Sequence, residues 1–259
     1  MPIGVSSSCL YPLSPRESLE IIANLGVKTT EVFFNSPSEL TIEYAKKLCR
    51  IKDEYGIDIV SLHPYTSFAE TVMLFSEYER RFTDTLEYYK HIFEVTASIG
   101  ARITVIHGSK LPGKISHEEY FERFAKMIDE GKKFGITVAQ ENVNNHFSEN
   151  PEFMKKMRAY LGNDFKMIFD VKQAVRSGFE PLNFAKEFAK DIIHIHLSDH
   201  KDGFDCLPPS EGIFDFGKLF EIMKNADYSG NYVIELYRHN YNEPEALADA
   251  LHYLEALIK

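Results

Sequence analysis

Seven short apolar runs in this chain end on a polar residue: FFNSP at Asn35, SLHPY at His63, VIHGS at His107, AQEN at Glu141, IFDVK at Asp170, IHLSD at His196 and VIELY at Glu235. Six of these seven are His, Asp or Glu, the side chains that move protons and hold cations. Taken singly, each reads as a strand passing into a polar loop, or as a core histidine satisfied by a backbone carbonyl. The shared register sets the group apart. If the ends converge, the carboxylates repel strongly unless a cation joins them. A mixed Glu, Asp and His set without a thiolate suits Mn²⁺, Mg²⁺, Co²⁺ or Zn²⁺. Within IIHIHLSD, His194 and His196 point to the same side of a strand. His196, at the exit, is placed to be a ligand. His194, one layer deeper, reads as a structural hydrogen-bonding residue.

Convergence depends on the elements that carry these ends. The pattern apolar residue, glycine, strand-like run recurs as LGVKTTEVFF (25–34), YGIDIVSLH (55–63), IGARITVIHG (99–108) and FGITVAQENV (134–143), and more loosely as YSGNYVIELY (228–237). Each glycine can end a helix in the left-handed conformation. Ser14 with Pro15 and Glu17, and Ser116 with Glu119, read as capped helix starts. Tyr78, Phe82, Leu86, Tyr89, Phe93 and Ala97 form a stripe at helical spacing, and Asn242 with Glu245 opens a last helix. Strands are expected near 2–8, 28–34, 57–63, 102–107, 136–141, 166–170, 192–197 and 231–236. Eight strand–helix units fit a (β/α)₈ barrel or an open doubly wound sheet. In an open sheet, ends three strands apart lie about 14 Å from one another. A closed barrel brings them to one axis, so a single α/β (β/α)₈ TIM-barrel domain spanning 1–259 is expected.

Bulk properties narrow the setting. With 259 residues the chain can bury a large core, and its net charge of −10 argues against a nucleic-acid partner. MPIGVSSSCLYPLSP has neither a basic region nor a long apolar one, so no signal peptide is expected. No run approaches a membrane span. Cys9, Cys49 and Cys206 are too scattered for a disulfide framework. A cytoplasmic protein is expected, and a homo-oligomer is compatible with the sequence.

The ordered set of strand ends resembles that of the xylose-isomerase-like barrel superfamily, which includes sugar isomerases and epimerases, inosose dehydratases and endonuclease IV. The resemblance runs almost end to end. It implies one divalent metal held by Glu141, Asp170, His196 and Glu235, with Glu141 and Glu235 doubling as the acid/base pair. His63, His107 and Gln173 would then line the pocket and bind substrate hydroxyls. Endonuclease IV is the rival within the family, since His63 and His107 match two histidines of its three-zinc cluster. That cluster also needs a histidine at Gln173 and an Asp-Arg-His triplet where Phe204, Asp205 and Cys206 stand. Ser38 occupies the place of a DNA-contacting arginine. Cys206 with His63 and His107 leaves a second metal open.

The expected function is therefore metal-dependent isomerisation or epimerisation of a small sugar or related hydroxy-carbonyl compound through an enediolate. Alternatives are a dehydratase on the same metal site, an endonuclease IV-like enzyme, and a non-catalytic sugar-binding barrel. Lys201 and Arg238, in the last two loops, either hold a phosphate or carboxylate or are solvated surface charges.

Overall fold

A computed structural model describes residues 2–258. The strands in chain order are β1 (Ile3–Ser6), β2 (Thr29–Phe33), β3 (Asp58–His63), β4 (Ile103–Ile106), β5 (Thr137–Glu141), β6 (Met167–Asp170), β7 (Ile192–Leu197), β8 (Asp199–Lys201), β9 (Phe204–Leu207) and β10 (Asn231–Ile234). All but β8 and β9 pair in parallel and close a barrel in the order β1-β10-β7-β6-β5-β4-β3-β2. β8 and β9 form a separate antiparallel hairpin in the loop after β7. The helices are α1 (Pro15–Asn24), α2 (Ile42–Tyr55), α3 (Glu70–Met73), α4 (Glu79–Ser98), α5 (His117–Lys133), α6 (Pro151–Leu161), α7 (Val171–Arg176), α8 (Pro181–Phe188), α9 (Phe216–Asn225) and α10 (Glu245–Leu257).

The (β/α)₈ expectation holds, with shorter strands. The first strand stops at Ser6, whose side chain accepts from the Ser8 amide and starts a 3₁₀ turn. The last stops at Ile234, so Glu235 stands one residue beyond it. Ser14 and Glu17 form the full capping box. Ser116 accepts from the Glu119 amide, but the Glu119 carboxylate pairs with the buried Arg123 instead of closing a capping box. Asn242 does not cap α10: Pro244 occupies that position, without a side-chain hydrogen bond. Gly56 sits at φ 62 and closes α2, and the same turn recurs at Gly26, Gly100 and Gly135. In the looser fifth repeat the left-handed residue is Asp227, not the glycine.

Most of the apolar burial lies between strands and helices, where the faces of α1, α2, α4, α5 and α8–α10 pack. Inside the barrel, Ile103, Val105, Ala139 and Ile168 form a small separate cluster. Alternation along each strand then places His107, Glu141 and Asp170 in the next layer up, at the C-terminal mouth. At Gly4 a side chain would meet the Thr29 carbonyl oxygen at 2.3 Å, so glycine permits the close approach of β1 and β2. Among the described residues no helix is long and apolar enough to cross a membrane.

Candidate metal centre at the barrel mouth

Two polar layers share the barrel axis. The lower is built on Glu31 of β2, which is fully buried. Its carboxylate accepts from Ser61 Oγ at 2.8 Å and Ser6 Oγ at 3.3 Å, and lies 3.3 Å from His194 Nε2 and 3.2 Å from His196 Nε2. His194 is thus the structural partner expected of it, with Ser61 as a second contact at 3.4 Å. Burial raises the Glu31 carboxyl, but the two imidazoles outweigh it and hold Glu31 well below the usual carboxylate range.

The upper layer gathers all four expected ligands. One donor atom from each of Glu141, Asp170, His196 and Glu235 lies within 4.8 Å of the others. His196 turns Nε2 down to Glu31 and Nδ1 up, 3.6 Å from Glu141, 3.8 Å from Asp170 and 3.5 Å from Glu235. Asp170 caps α7 by accepting from the Gln173 amide with Oδ1, which leaves Oδ2 facing the centre. Asn142 fixes the neighbouring ends: its oxygen accepts from the Asp170 amide and its nitrogen donates to the Asp170 carbonyl. Gln140 does the same for β4, donating to the carbonyls of Ile106 and His107.

Glu141 Oε2, Asp170 Oδ2 and His196 Nδ1 are buried without a hydrogen-bond partner. Asp170 Oδ2 and His196 Nδ1, 3.8 Å apart, face the same centre as Glu141 Oε1, whereas Glu141 Oε2 turns to His107 at 3.1 Å. Buried polar atoms are almost always satisfied, so the open pair at the centre calls for a partner. Three carboxylates and one imidazole suit a hard or borderline divalent cation. The donor set therefore fits the expected metal.

Lys172 was missed by sequence reasoning. It is buried among the carboxylates, with Nζ 2.9 Å from Glu235 Oε2 and 3.1 Å from Asp170 Oδ2. Burial lowers its ammonium, but the two carboxylates hold it well above the usual lysine range. His196 behaves alike: burial lowers it, and Glu31 and Glu235 raise it further, to well above the usual histidine range. Burial raises the Asp170 carboxyl despite Lys172. Glu141 and Glu235 are also raised by burial, but His107 for the one and Lys172 with His196 for the other bring both below the usual range.

A pocket of about 710 Å³ opens above this layer, lined in part by His63, His107, Glu141, Lys172, Gln173 and Glu235. His63 and His107 meet at 2.8 Å through their Nε2 atoms, and His107 lies 3.1 Å from Glu141. Gln173 also lines the pocket, although its carbonyl oxygen accepts from the Asn144 amide. Asn35 reaches only the exposed rim. The β2 residue at the pocket wall is Phe33, stacked on His63 with ring centroids 4.4 Å apart. His63, His107 and Glu141 form a second possible donor group, and Cys206 belongs to none. The Cys206 thiol instead lies against the Tyr237 amide, and burial pushes it up to about 11. Lys201 is exposed over Phe204, away from the pocket, while Arg238 lines it.

The sequence matches the xylose isomerase-like TIM barrel family over residues 19–257. An uncharacterised protein of Methanocaldococcus jannaschii is 24% identical, over 91% of this chain and 83% of its own length. An L-ribulose-5-phosphate 3-epimerase of Salmonella heidelberg is 24% identical over 63% of this chain, a match that spans only 60% of the epimerase. Among solved structures, a D-tagatose 3-epimerase-like protein superposes with a TM-score of 0.82 at 21% identity, covering 100% of this chain and 97% of that one. The IolI protein with a zinc atom superposes with a TM-score of 0.80 at 16% identity, covering 100% and 98%. At these identities the structural likeness is one of fold.

Proposed function

Because the chain belongs to the xylose isomerase-like TIM barrel family, we propose that it is a divalent-metal-dependent isomerase or epimerase of a small sugar or related hydroxy-carbonyl compound. The observation that carries this reading is the convergence of donor atoms from Glu141, Asp170 and His196, with Asp170 Oδ2 and His196 Nδ1 lacking a hydrogen bond. With Glu235 these residues would hold one Mn²⁺, Mg²⁺, Co²⁺ or Zn²⁺. When bound, the cation supplies Lewis acidity that polarises a carbonyl and makes the adjacent C–H more acidic. Glu141 and Glu235 both line the pocket and are held ionised, so either can take that proton and either can return it. Which does so is set by the handedness of the substrate carbon. His63 and His107 stand beside Glu141, where they can hold hydroxyls next to the reacting carbon. The epimerase activity of the Salmonella relative and the zinc atom of the IolI structure support the same reading.

The test is elemental analysis of the purified protein, followed by a panel of ketoses in D₂O. A divalent metal and deuterium at the carbon next to the carbonyl are expected. Failure to take up any divalent metal after reconstitution would remove the catalytic reading. Loss of water in place of epimer formation would move the activity to the dehydratases.

A further inference from the structure

The loop after the last barrel strand brings to the pocket an arginine whose charge no carboxylate neutralises. Lys172 is held by Asp170 and Glu235. Arg176 sets its Nε and Nη2 on the two oxygens of Asp205. Arg238 is half-buried and lines the pocket, but among the described residues it makes no ion pair. Its partners are neutral: Nη1 donates to the Tyr241 carbonyl at 2.9 Å, and the guanidinium lies 4.9 Å from the Tyr241 ring centroid. The turn that carries it is pinned on both sides. Asn240 donates to the carbonyls of Asp205 and Cys206, and the Tyr241 hydroxyl donates to the Cys9 carbonyl. The guanidinium is therefore positioned by groups that leave its Nε and Nη2 without an acceptor among the described residues. That pair of donors is the edge with which Arg176 grips Asp205, and it matches a carboxylate or a phosphate.

TIM barrels frequently bind phosphate with the loops after their seventh and eighth strands. Here the loop after the seventh barrel strand has spent its amides: those of Ser210, Gly212 and Phe214 donate to the buried Asp199 carboxylate at 2.9–3.2 Å. Lys201, in the same loop, lies over Phe204 outside the pocket. The eighth loop and Arg238 remain. The carboxylates of Glu141 and Glu235 make the pocket floor anionic, so a negative group on a ligand belongs at the other end. Arg238 follows Glu235 by three residues, which keeps their backbones within about 11 Å, the reach of an extended five- or six-carbon sugar ester. At about 710 Å³ the pocket has room for both ends of such a molecule.

We propose that Arg238 anchors a terminal anion, so that the substrate is a hydroxy-carbonyl sugar carrying a phosphate or carboxylate at the end remote from the reacting carbon. This deepens the isomerase reading and rests on it for the seating of the other end.

Calorimetric titration of the Mn²⁺-loaded protein tests it with three ketoses that differ only at the sixth carbon: D-fructose, D-fructose 6-phosphate and D-fructuronate. At least one of the two anions should bind about tenfold or more tightly than D-fructose, the worth of a charge-assisted bidentate pair. A gain for the ester marks a sugar phosphate, and a gain for D-fructuronate a sugar acid. Arg238→Gln should remove most of the preference, read as the ratio of anionic to neutral affinity within the variant, at unchanged metal content. Arg238→Lys, which keeps the charge without the fork, should recover part of it. Lys201→Gln should leave it as in wild type. D-fructose bound as tightly as both anions, or no binding of either anion at millimolar concentration, would overturn the anchor. So would a preference that survives Arg238→Gln, the result expected if the anion sat on the metal. An Arg238-dependent preference in a protein that exchanges no label from any ketose would keep the anchor and remove the isomerase reading.

Discussion

His196 stands between two rings of polar groups that the same barrel has finished differently. Below it, Glu31 receives Ser6, Ser61, His194 and His196, and its carboxylate is fully engaged. Above it, three carboxylates face one another with Lys172, His196 and His107 beside them, and Asp170 Oδ2 and His196 Nδ1 have no hydrogen-bond partner. Glu31, Glu141, Asp170 and His196 are all buried, so burial alone does not distinguish the two regions. A carboxylate surrounded by matched donors is architecture, while convergent donors left open are a demand for a ligand.

The sharpest way to break that contrast is to remove a ligand from the upper ring. Asp170→Ala should abolish stoichiometric metal binding and activity together, read by elemental analysis beside turnover. Full metal content in this variant would place the cation elsewhere. Next come Glu141→Gln and Glu235→Gln, which keep an oxygen donor but cannot carry a proton. Each should retain some metal and slow deuterium exchange by about 10²- to 10⁴-fold, the usual worth of a general acid–base group. Rapid exchange by either variant would take that carboxylate out of the reaction.

Glu70 sharpens the comparison from outside the axis. It is as buried as Glu31, but its direct donors are neutral: the Tyr89 hydroxyl at 3.0 Å and the Gly108 amide at 2.5 Å. Burial pushes its carboxyl from 4.5 up to about 7, whereas imidazoles hold Glu31 low. The folded form therefore keeps a proton that the unfolded chain has lost, and this contribution to stability disappears as pH rises from about 4.5 through about 7. Glu70→Gln stays neutral, so it should gain on wild type across that window by up to about 3 kcal/mol. Melting temperatures at pH 5 and pH 8 read the difference, and a gap independent of pH would contradict it. The smallest effect is expected of Glu31→Gln, which leaves every upper ligand in place. Loss of the partner that orients His196 should weaken metal binding by about 10- to 100-fold, seen in a competition titration with a chelator. Unaltered affinity would mean that Glu31 serves folding alone.

The barrel and the upper ring were legible because both rest on local pattern. Strand ends carrying His63, His107, Glu141, Asp170, His196 and Glu235 keep one register in the sequence, and closure brings them together. Asn35 broke the pattern, because β2 ends at Phe33 and its inward polar residue is Glu31, two positions deeper. Within TTEVFF, Glu31 looks like a charge on an ordinary strand. Its partners are 163 and 165 positions away, and no local rule pairs β2 with β7. Lys172 was hidden for another reason. It falls in the first turn of α7, where a lysine normally points to water, but its ammonium turns in to Glu235 and Asp170.

The seam between β1 and β10 carries a consequence for how the protein is made. Ile3, Gly4 and Val5 pair with Tyr232, Val233 and Ile234, and Ser8 reaches Glu235 across 227 positions of chain. A growing polypeptide on the ribosome cannot form these contacts until β10 has emerged. Until then the curved sheet has two unprotected edges, β1 and β7, each able to recruit another strand. The same event that seals those edges brings Glu235 to Glu141 and Asp170. Catalytic competence and resistance to aggregation therefore arrive together, with the last strand.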